Sequence, residues 1–168
     1  MNANRVDQGD TVDVVVEIPR GSRNKYEYDH ERDVMRLDRR LFSATVYPAD
    51  YGFIPDTLAE DGDPLDAIVL LEEPTFPGCW ITARPIGVFL MTDDKGPDSK
   101  IVCVPAGDPR WSDVREITDV PELLRMEIEH FFEVYKTLEP DKHSETNGYD
   151  GLAAAWKEIE SARSRHPH

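Results

Sequence analysis

Short apolar blocks separated by polar turns occupy the first two thirds of the chain, which is the pattern of a β-rich domain. Apolar residues alternate with polar ones over 12–18 and predict a first strand there. Pro85 and Gly87 interrupt the longest apolar run and predict a bend or bulge within it. Other apolar segments predict strands over 25–28, 34–37, 67–71, 80–91 and 101–104.

The pattern changes in two other parts of the chain. Residues 43–66 are rich in Pro, Gly, Asp and Tyr without clear periodicity, and predict a long functional loop. Apolar residues then recur at helical spacing, predicting one helix capped at Thr118 or Asp119 and ending near 139, and a second over about 149–163. Strands followed by helices favour an α+β, mainly β domain, such as a small closed barrel with helices packed outside.

Composition narrows the class of protein. The 168 residues, 39% of them hydrophobic, suit a single domain over 1–168 with a polar segment, 1–10, that we expect to be mobile. The formal net charge of −15 repels nucleic acid and anionic membranes, so neither is an expected partner. Cys79 and Cys103 are isolated, and the chain shows neither a signal peptide nor a membrane-spanning run. We therefore predict a cytoplasmic protein with reduced thiols.

The sharpest chemical feature is a run of carboxylates with the sequence DGDPLD. Asp61, Asp63 and Asp66 fall within this single turn, where their charges would repel one another without a cation. Oxygen ligands at this density favour a hard divalent ion, although a solvated acidic turn is the alternative. The run does not match an EF-hand, because Asp66 stands where that loop needs glycine.

A second acidic turn, with Asp93, Asp94 and Asp98 followed by Lys100, also lies between predicted strands. Two such turns can converge on one metal site, and two divalent ions that share a carboxylate can activate water and hold a phosphoryl group. Lys25 and Glu27 share a face of one strand, which suits a site for phosphate and metal as well as it suits a surface ion pair.

These segments together resemble the soluble inorganic pyrophosphatases of the bacterial type, called family I, from about Val12 to Lys136. DGDPLD is that family's signature where it follows YPADYGFIPDTL, as it does here. The segments that carry the resemblance are EIPRGSRNKYEYD, LDRRLFSATVYPADYGFIPDTLAEDGDPLD, RPIGVFLMTDDKGPDSK, VPAGDPRW and HFFEVYK. The resemblance implies a five-stranded closed β-barrel of the OB type with two flanking C-terminal α-helices, in a protein that assembles as a homohexamer.

The resemblance also implies a reaction and its cofactor. Pyrophosphate, bound as its magnesium complex, would be hydrolysed to two orthophosphates by a metal-activated water. Several Mg²⁺ ions would be held in each active site, where Mn²⁺ or Zn²⁺ could substitute. Asp63 matches the general base, a role that some members give to the position of Asp98.

Other positions match family sites in groups. The metal positions are Asp61, Asp66 and Asp98, with Asp93 for a metal arriving with the substrate and Glu17 and Glu27 lining the same cavity. The phosphate-binding positions are Lys25, Arg39, Tyr51, Tyr135 and Lys136, and the supporting catalytic positions are Tyr47 and Lys100.

The chain departs from the family at His143-Ser144-Glu145, where many members have an aromatic-Val-Lys triplet. That departure removes a supporting lysine. His30 resembles a histidine found in a subset of members, but it stays outside the predicted site. Two other functions remain open, a metal-dependent phosphohydrolase of nucleotides or polyphosphate and a non-catalytic cation-binding OB module. Lys25, Arg39 and Lys136 count against the second, since a metal buffer has no need of phosphate-binding cations.

Overall fold

The structure is a computed structural model that describes residues 8–167. Of the segment 1–10, which we expected to be mobile, residues 1–7 lie outside the described range, and Gln8–Asp10 form one turn of 3₁₀-helix. The strands and α-helices, in chain order, are β1 (Val12–Ile18), β2 (Asn24–Asp29), β3 (Val34–Arg40), β4 (Asp50–Phe53), β5 (Asp66–Val69), β6 (Trp80–Asp93), β7 (Gly96–Pro97), β8 (Lys100–Pro105), α1 (Glu122–Val134), β9 (Ser144–Asp150) and α2 (Leu152–Arg165).

Five strands pair in a closed ring. β1 pairs with β4 and β4 with β5 in antiparallel fashion, β5 runs parallel to β8, and β8 pairs antiparallel with β6. β6 is long enough to close the ring, because its first residues also pair with β1. Its register with β8 shifts between Pro85 and Gly87, where the sequence predicts a bend. The predicted fold, a mainly β, five-stranded OB-type barrel with two C-terminal helices, is confirmed.

The two helices belong to separate apolar clusters, with α1 lying mainly against β9 and α2 mainly against β6. Successive strand residues point to opposite faces, so Ile68 and Val102 join the buried apolar cluster that contains Phe132 of α1. Val69, on the other face, joins the cluster that contains Ile159 of α2. No helix in the described part of the chain is long and apolar enough to cross a membrane.

The predicted loop 43–66 contains a strand, β4, which its composition conceals. Asp50 is fully buried in this strand, where its carboxylate accepts hydrogen bonds from the Thr75 hydroxyl and the Arg20 backbone N–H. Gly52 is required by close packing, because a Cβ there would collide with the carbonyl oxygen of Val15. A polar residue and a glycine thus occupy strand positions for tertiary reasons.

The C-terminal boundaries also differ from the prediction. α1 ends at Val134, so the predicted extension to 139 is wrong, and Tyr135 and Lys136 lie just beyond the helix. Tyr149 belongs to β9, which pairs with β6, and α2 begins at Leu152 rather than near 149. Ser144–Asp150 lacks the apolar alternation of a strand and is ordered by the edge of β6 that it joins.

Candidate active site

A single cavity of about 370 Å³ opens between the barrel, the β2–β3 hairpin and the end of α1. Its walls are built from carboxylates, basic side chains and tyrosines rather than from apolar side chains. Every residue that the sequence singled out for the site lines this cavity: Glu17, Lys25, Glu27, Arg39, Tyr47, Tyr51, Asp61, Asp63, Asp66, Asp93, Asp98, Lys100, Tyr135 and Lys136.

Strand register explains why residues far apart in sequence meet here. β5 and β8 run parallel with Asp66 directly beside Lys100, at the end of the barrel where both strands begin. The loop that carries Asp61 and Asp63 leads into β5, and Asp98 lies two residues before Lys100. The carboxylates of both acidic turns therefore reach the same end of the barrel, as their sequence positions predict.

The first of two charge clusters, the Lys100 cluster, consists of Lys100, Tyr51, Asp66 and Asp98. The Lys100 side chain is 2% exposed. Its Nζ donates to the Tyr51 hydroxyl at 2.6 Å and to Oδ2 of Asp66 and of Asp98, each at 3.1 Å. The ammonium also lies 4.9 Å from the centre of the Tyr51 ring. One buried ammonium thus bridges two carboxylates and also packs against the aromatic ring of Tyr51.

Electrostatics around this cluster show an excess of negative charge. Burial, together with the neighbouring Asp66 charge, raises the pKa of Glu17 to about 8. Burial likewise raises the pKa of Asp66, against the opposing charge of Lys100. Burial also acts to raise the pKa of Asp98, but the charge and hydrogen bond of Lys100 outweigh it and hold that pKa below its usual value. Lys100 compensates for only part of the buried carboxylate charge.

The chemistry of these donors fits a hard divalent cation. The carboxylates of Glu17, Asp61, Asp66 and Asp98 offer only oxygen ligands, and a bound cation would oppose the burial and the Asp66 charge that raise the pKa of Glu17. Within residues 8–167, no three acidic, histidine or cysteine side chains converge closely enough to hold a metal ion as they stand. The Lys100 ammonium lies between Asp66 and Asp98, so cation binding there requires these side chains to adjust.

The second cluster, the Arg39 cluster, consists of Lys25, Asp38, Arg39 and Glu139. The Asp38 carboxylate accepts from Lys25 Nζ at 3.0 Å and also from Arg39 Nη1. Arg39 Nη2 lies 2.8 Å from Oε1 and 3.1 Å from Oε2 of Glu139. Burial acts to raise the pKa of Asp38, but the hydrogen bonds and charges of Lys25 and Arg39 together hold it below its usual value, so this carboxylate remains ionised.

Sequence reasoning missed Asp38, and a β-bulge explains why. Lys25 pairs with Arg39 and the next residue, Tyr26, pairs with Leu37, so Asp38 is the extra residue of β3. A bulge changes the direction of a side chain, which allows Asp38 and Arg39, although adjacent in sequence, both to line the cavity. No pattern of residue types in β3 marks the bulge.

A third group of cavity residues, Tyr135 and Lys136, lies just beyond the end of α1. Lys136 Nζ lies 3.9 Å from Oδ2 of Asp93, and burial lowers the pKa of Lys136. Tyr135 and Tyr47 are 5% and 2% exposed, and both rings pack against Phe131. Burial raises the pKa of both tyrosines, so their hydroxyls keep their protons and remain hydrogen-bond donors.

His30 and Lys142 are further cavity residues outside the predicted set. His30 lines the cavity, with the centre of its ring 4.8 Å from the centre of the Tyr28 ring and 5.1 Å from that of the Phe53 ring. Lys142 also lines the cavity, whereas the departing triplet 143–145 does not contribute to its described lining. A lysine is therefore present at the cavity immediately before the position where the family motif is lost.

Comparison with known proteins shows the family to which the chain belongs. The family model described as inorganic pyrophosphatase matches residues 14–166. The chain belongs to the inorganic pyrophosphatase family. A relative from Streptomyces coelicolor, named inorganic pyrophosphatase, is 59% identical over 153 residues, covering 91% of this chain and 94% of the relative. A relative of the same name from Saccharolobus solfataricus is 48% identical over 158 residues, covering 93% and 92%.

Solved structures of inorganic pyrophosphatases share the fold. The structure from Thermus thermophilus matches with a TM-score of 0.92 and 45% identity, covering 99% of this chain and 96% of the other. The structure from Helicobacter pylori matches with a TM-score of 0.93 and 39% identity, covering 99% and 98%. The predicted enzyme class, an inorganic diphosphatase that hydrolyses pyrophosphate, is confirmed by family membership, and a divalent metal cofactor follows from the same membership.

Proposed function

We propose that this inorganic pyrophosphatase depends on Mg²⁺ and uses Asp63 as the general base toward an attacking water. One observation supports the proposal above others: a single cavity lining combines an acidic wall with a basic wall. The acidic wall comes from the loops before β5 and β8 and from Glu17, Glu27 and Asp93, and the basic wall from Lys25 and Arg39 of the β2–β3 hairpin and Lys136 after α1. A magnesium complex of a small polyanion needs both charges at once.

The acidic wall would hold the metal ions. Its candidate ligands are Asp61, Asp66, Asp93, Asp98, Glu17 and Glu27. Bound Mg²⁺ would supply Lewis-acid activation of water and neutralisation of phosphate charge. Lys100 fixes the orientation of Asp66 and Asp98 through its two hydrogen bonds, and Tyr51 fixes Lys100 in turn. Mn²⁺ or Zn²⁺ could serve the same oxygen ligands with lower activity.

The remaining residues would bind and orient pyrophosphate. Lys25, Arg39 and Lys136 provide positive charge, while the protonated hydroxyls of Tyr51 and Tyr135 donate hydrogen bonds to phosphate oxygens. Tyr47 supports this wall by packing between Tyr51 and Phe131. Catalysis in such a site rests on positioning and electrostatic stabilisation rather than on covalent chemistry.

Asp63 is a better base than Asp98 in this arrangement. Asp98 already accepts a hydrogen bond from Lys100, and its lowered pKa makes it a poor proton acceptor. Asp63 lies on the exposed loop before β5, where its carboxylate faces the cavity without such a partner in the described structure. We therefore assign the proton from water to Asp63.

We further propose that the enzyme is a cytoplasmic homo-oligomer, a hexamer by analogy with its family. The free thiols of Cys79 and Cys103 suit a reducing compartment. Exposed apolar side chains on α1 and just beyond it, at Leu123, Met126 and Leu138, offer a surface for another subunit.

The experiment is phosphate release from pyrophosphate with and without Mg²⁺, beside ATP and tripolyphosphate. Fast release from pyrophosphate that requires Mg²⁺ supports the proposal. Equal release without metal, or preference for ATP or tripolyphosphate, contradicts it. Ca²⁺ should inhibit, because it accepts looser oxygen geometry and polarises water less than Mg²⁺. Robust turnover with Ca²⁺ alone would count against the metal role.

A further inference from the structure

We propose that Glu139 is a positioning residue, which holds the Arg39 guanidinium in the orientation that binds a phosphate group. This inference rests on the proposed function, in which Arg39 is a phosphate ligand. Glu139 lies outside both acidic turns and outside the cavity-lining residues, five positions after the last residue of α1. Its importance follows from its burial and from what it contacts.

Glu139 is a carboxylate kept away from water in a chain whose other acidic residues are mostly exposed. It is 7% exposed, and both of its carboxylate oxygens contact Arg39 Nη2, Oε1 at 2.8 Å and Oε2 at 3.1 Å. A buried carboxylate destabilises a fold unless a partner compensates for the lost hydration. The partner here lies 100 residues earlier in the chain. The pair therefore fixes two distant parts of the chain relative to each other.

Arg39 is held at both ends of its guanidinium. Asp38 contacts Nη1 and Glu139 contacts Nη2, so the plane of the group is set by two carboxylates. A guanidinium has five N–H donors, and these contacts do not use them all. Arg39 Nε is buried and has no hydrogen-bond partner among the described residues. Because Nε is buried, the donor capacity left for a phosphate oxygen lies on the terminal nitrogens Nη1 and Nη2. The two carboxylates meanwhile restrict rotation of the group.

The same contact joins two phosphate-binding parts of the cavity. The backbone N–H of Glu139 donates to the carbonyl oxygen of Lys136 at 3.0 Å, closing the turn that follows α1. This turn carries Tyr135 and Lys136, while Arg39 belongs to the β2–β3 hairpin. Glu139 therefore sets the distance between cations that would bind one substrate. A mobile Arg39 would weaken substrate binding without any change in metal ligands.

The variant Glu139→Gln tests this role, because it keeps the size of the side chain and a carbonyl acceptor but removes the charge. We expect kcat/KM for magnesium pyrophosphate to fall about 10-fold, mainly through a higher KM, because charge-assisted hydrogen bonds are the stronger ones. Half-maximal Mg²⁺ concentration should not change. Glu127→Gln is the matched control, since it makes the same charge change on an exposed position of α1 and should leave KM unaltered.

A double-mutant cycle with Arg39→Lys separates positioning from a general structural effect. If Glu139 acts through Arg39, Glu139→Gln should cost little further activity once Arg39→Lys is present. Fully additive losses, or a KM for Glu139→Gln equal to the wild-type value, would overturn the inference. Should Glu139→Gln fail to fold, Glu139→Asp keeps the charge on a shorter side chain and takes its place in the same cycle.

Calorimetric titration with inorganic phosphate distinguishes failure of this inference from failure of the proposed function. A wild-type protein that releases no phosphate from pyrophosphate contradicts the function alone. Phosphate binding that is weaker in Glu139→Gln than in Glu127→Gln still supports the positioning role in that case. Equal phosphate binding by the two variants contradicts it, whatever the activity of the wild type.

Discussion

The Lys100 cluster and the Arg39 cluster use similar ion pairs in different surroundings. Lys100 belongs to a strand of the closed barrel, and its side chain is 2% exposed. Arg39 belongs to the two-stranded β2–β3 sheet outside the ring. Its side chain is 18% exposed, and that of its partner Asp38 is 31% exposed. Because water screens charges most effectively where it has access, the first cluster should matter more for stability and the second for adaptable binding.

The balance of charge also differs between the clusters. One ammonium faces Asp66 and Asp98 in the Lys100 cluster, with Glu17 close enough for its own pKa to be raised. Two cations face two carboxylates in the Arg39 cluster, and the terminal nitrogens of Arg39 keep N–H donors that these contacts do not use. A surplus of buried negative charge favours cations, while balanced charge with spare donors favours an anion. We therefore propose that the Lys100 cluster belongs to a metal side of the cavity and the Arg39 cluster to a phosphate side.

The largest effect is expected for Asp63→Asn, which touches neither cluster. Turnover should fall roughly 100- to 10,000-fold, the usual contribution of a general base, while unfolding and Mg²⁺ dependence remain those of the wild type. Phosphate release at saturating Mg²⁺ measures the loss, and Asp113→Asn, an exposed position remote from the cavity lining, is the control. Near-normal turnover of Asp63→Asn would exclude Asp63 as the base.

Lys100→Met should give the largest change in stability. Removing the buried cation leaves the partly buried carboxylates of Asp66 and Asp98 repelling each other, and breaking a buried pair costs at most about 3–5 kcal/mol. Urea unfolding in the presence of a chelator measures the loss, and added Mg²⁺ should recover part of it. Lys25→Met is the comparison from the other cluster and should cost at most about 1 kcal/mol, because its ion pair is partly exposed. Equal losses would show that burial does not distinguish the clusters.

A crossed pair of variants tests the division into metal and phosphate sides. Asp66→Asn should raise the Mg²⁺ concentration for half-maximal activity about 10-fold, because affinity for hard cations follows the number of charged ligands. Lys25→Gln should raise the KM for magnesium pyrophosphate and leave the Mg²⁺ requirement unchanged. Steady-state rates over a grid of metal and substrate concentrations separate the two effects. Both variants changing the same parameter would mean that the walls are not functionally distinct.

The sequence predicts the barrel strands well where apolar residues alternate or run continuously, and fails where tertiary packing decides. β1 is visible in the sequence because each of its apolar residues is buried. The bend in β6 is visible because Pro85 and Gly87 interrupt an apolar run at the position where the register shifts. β4 is hidden because Asp50 is buried through hydrogen bonds and Gly52 through a close approach of β1. Such reasons depend on partners elsewhere in the chain, which a local pattern does not contain.

The residues of the site also divide into those that a local sequence pattern reveals and those that depend on tertiary contacts. Asp61, Asp63 and Asp66 stand out because carboxylates at that density need an explanation, and the resemblance extends the prediction to the basic residues. Asp38 and Glu139 do not stand out, since one depends on a bulge and the other on a contact across 100 residues. The residue pattern and the resemblance therefore predict residues that line the cavity, while Asp38 and Glu139, whose places depend on distant contacts, are not predicted.

A pH-dependent effect on stability is expected for Glu17→Gln in the metal-free protein. The pKa of Glu17 is raised from 4.5 to about 8, so between these values the unfolded chain is ionised at this position while the folded protein keeps the proton. A raised carboxyl pKa therefore reduces stability progressively as pH rises, with the full loss reached above about 8. Glutamine stays neutral and can still accept the hydrogen bond from the Tyr28 backbone N–H.

The Tm of Glu17→Gln should therefore match that of the wild type near pH 4.5 and exceed it at pH 8, when a chelator removes divalent ions. Mg²⁺ should reduce or reverse the gain at pH 8, because a nearby cation favours the ionised carboxylate that only the wild type has. Glu127→Gln controls for the change in net charge and should show no such pH dependence. A constant difference in Tm across this range would mean that Glu17 is ionised in the folded protein throughout, and the surplus of negative charge on the metal side would be smaller than the structure implies.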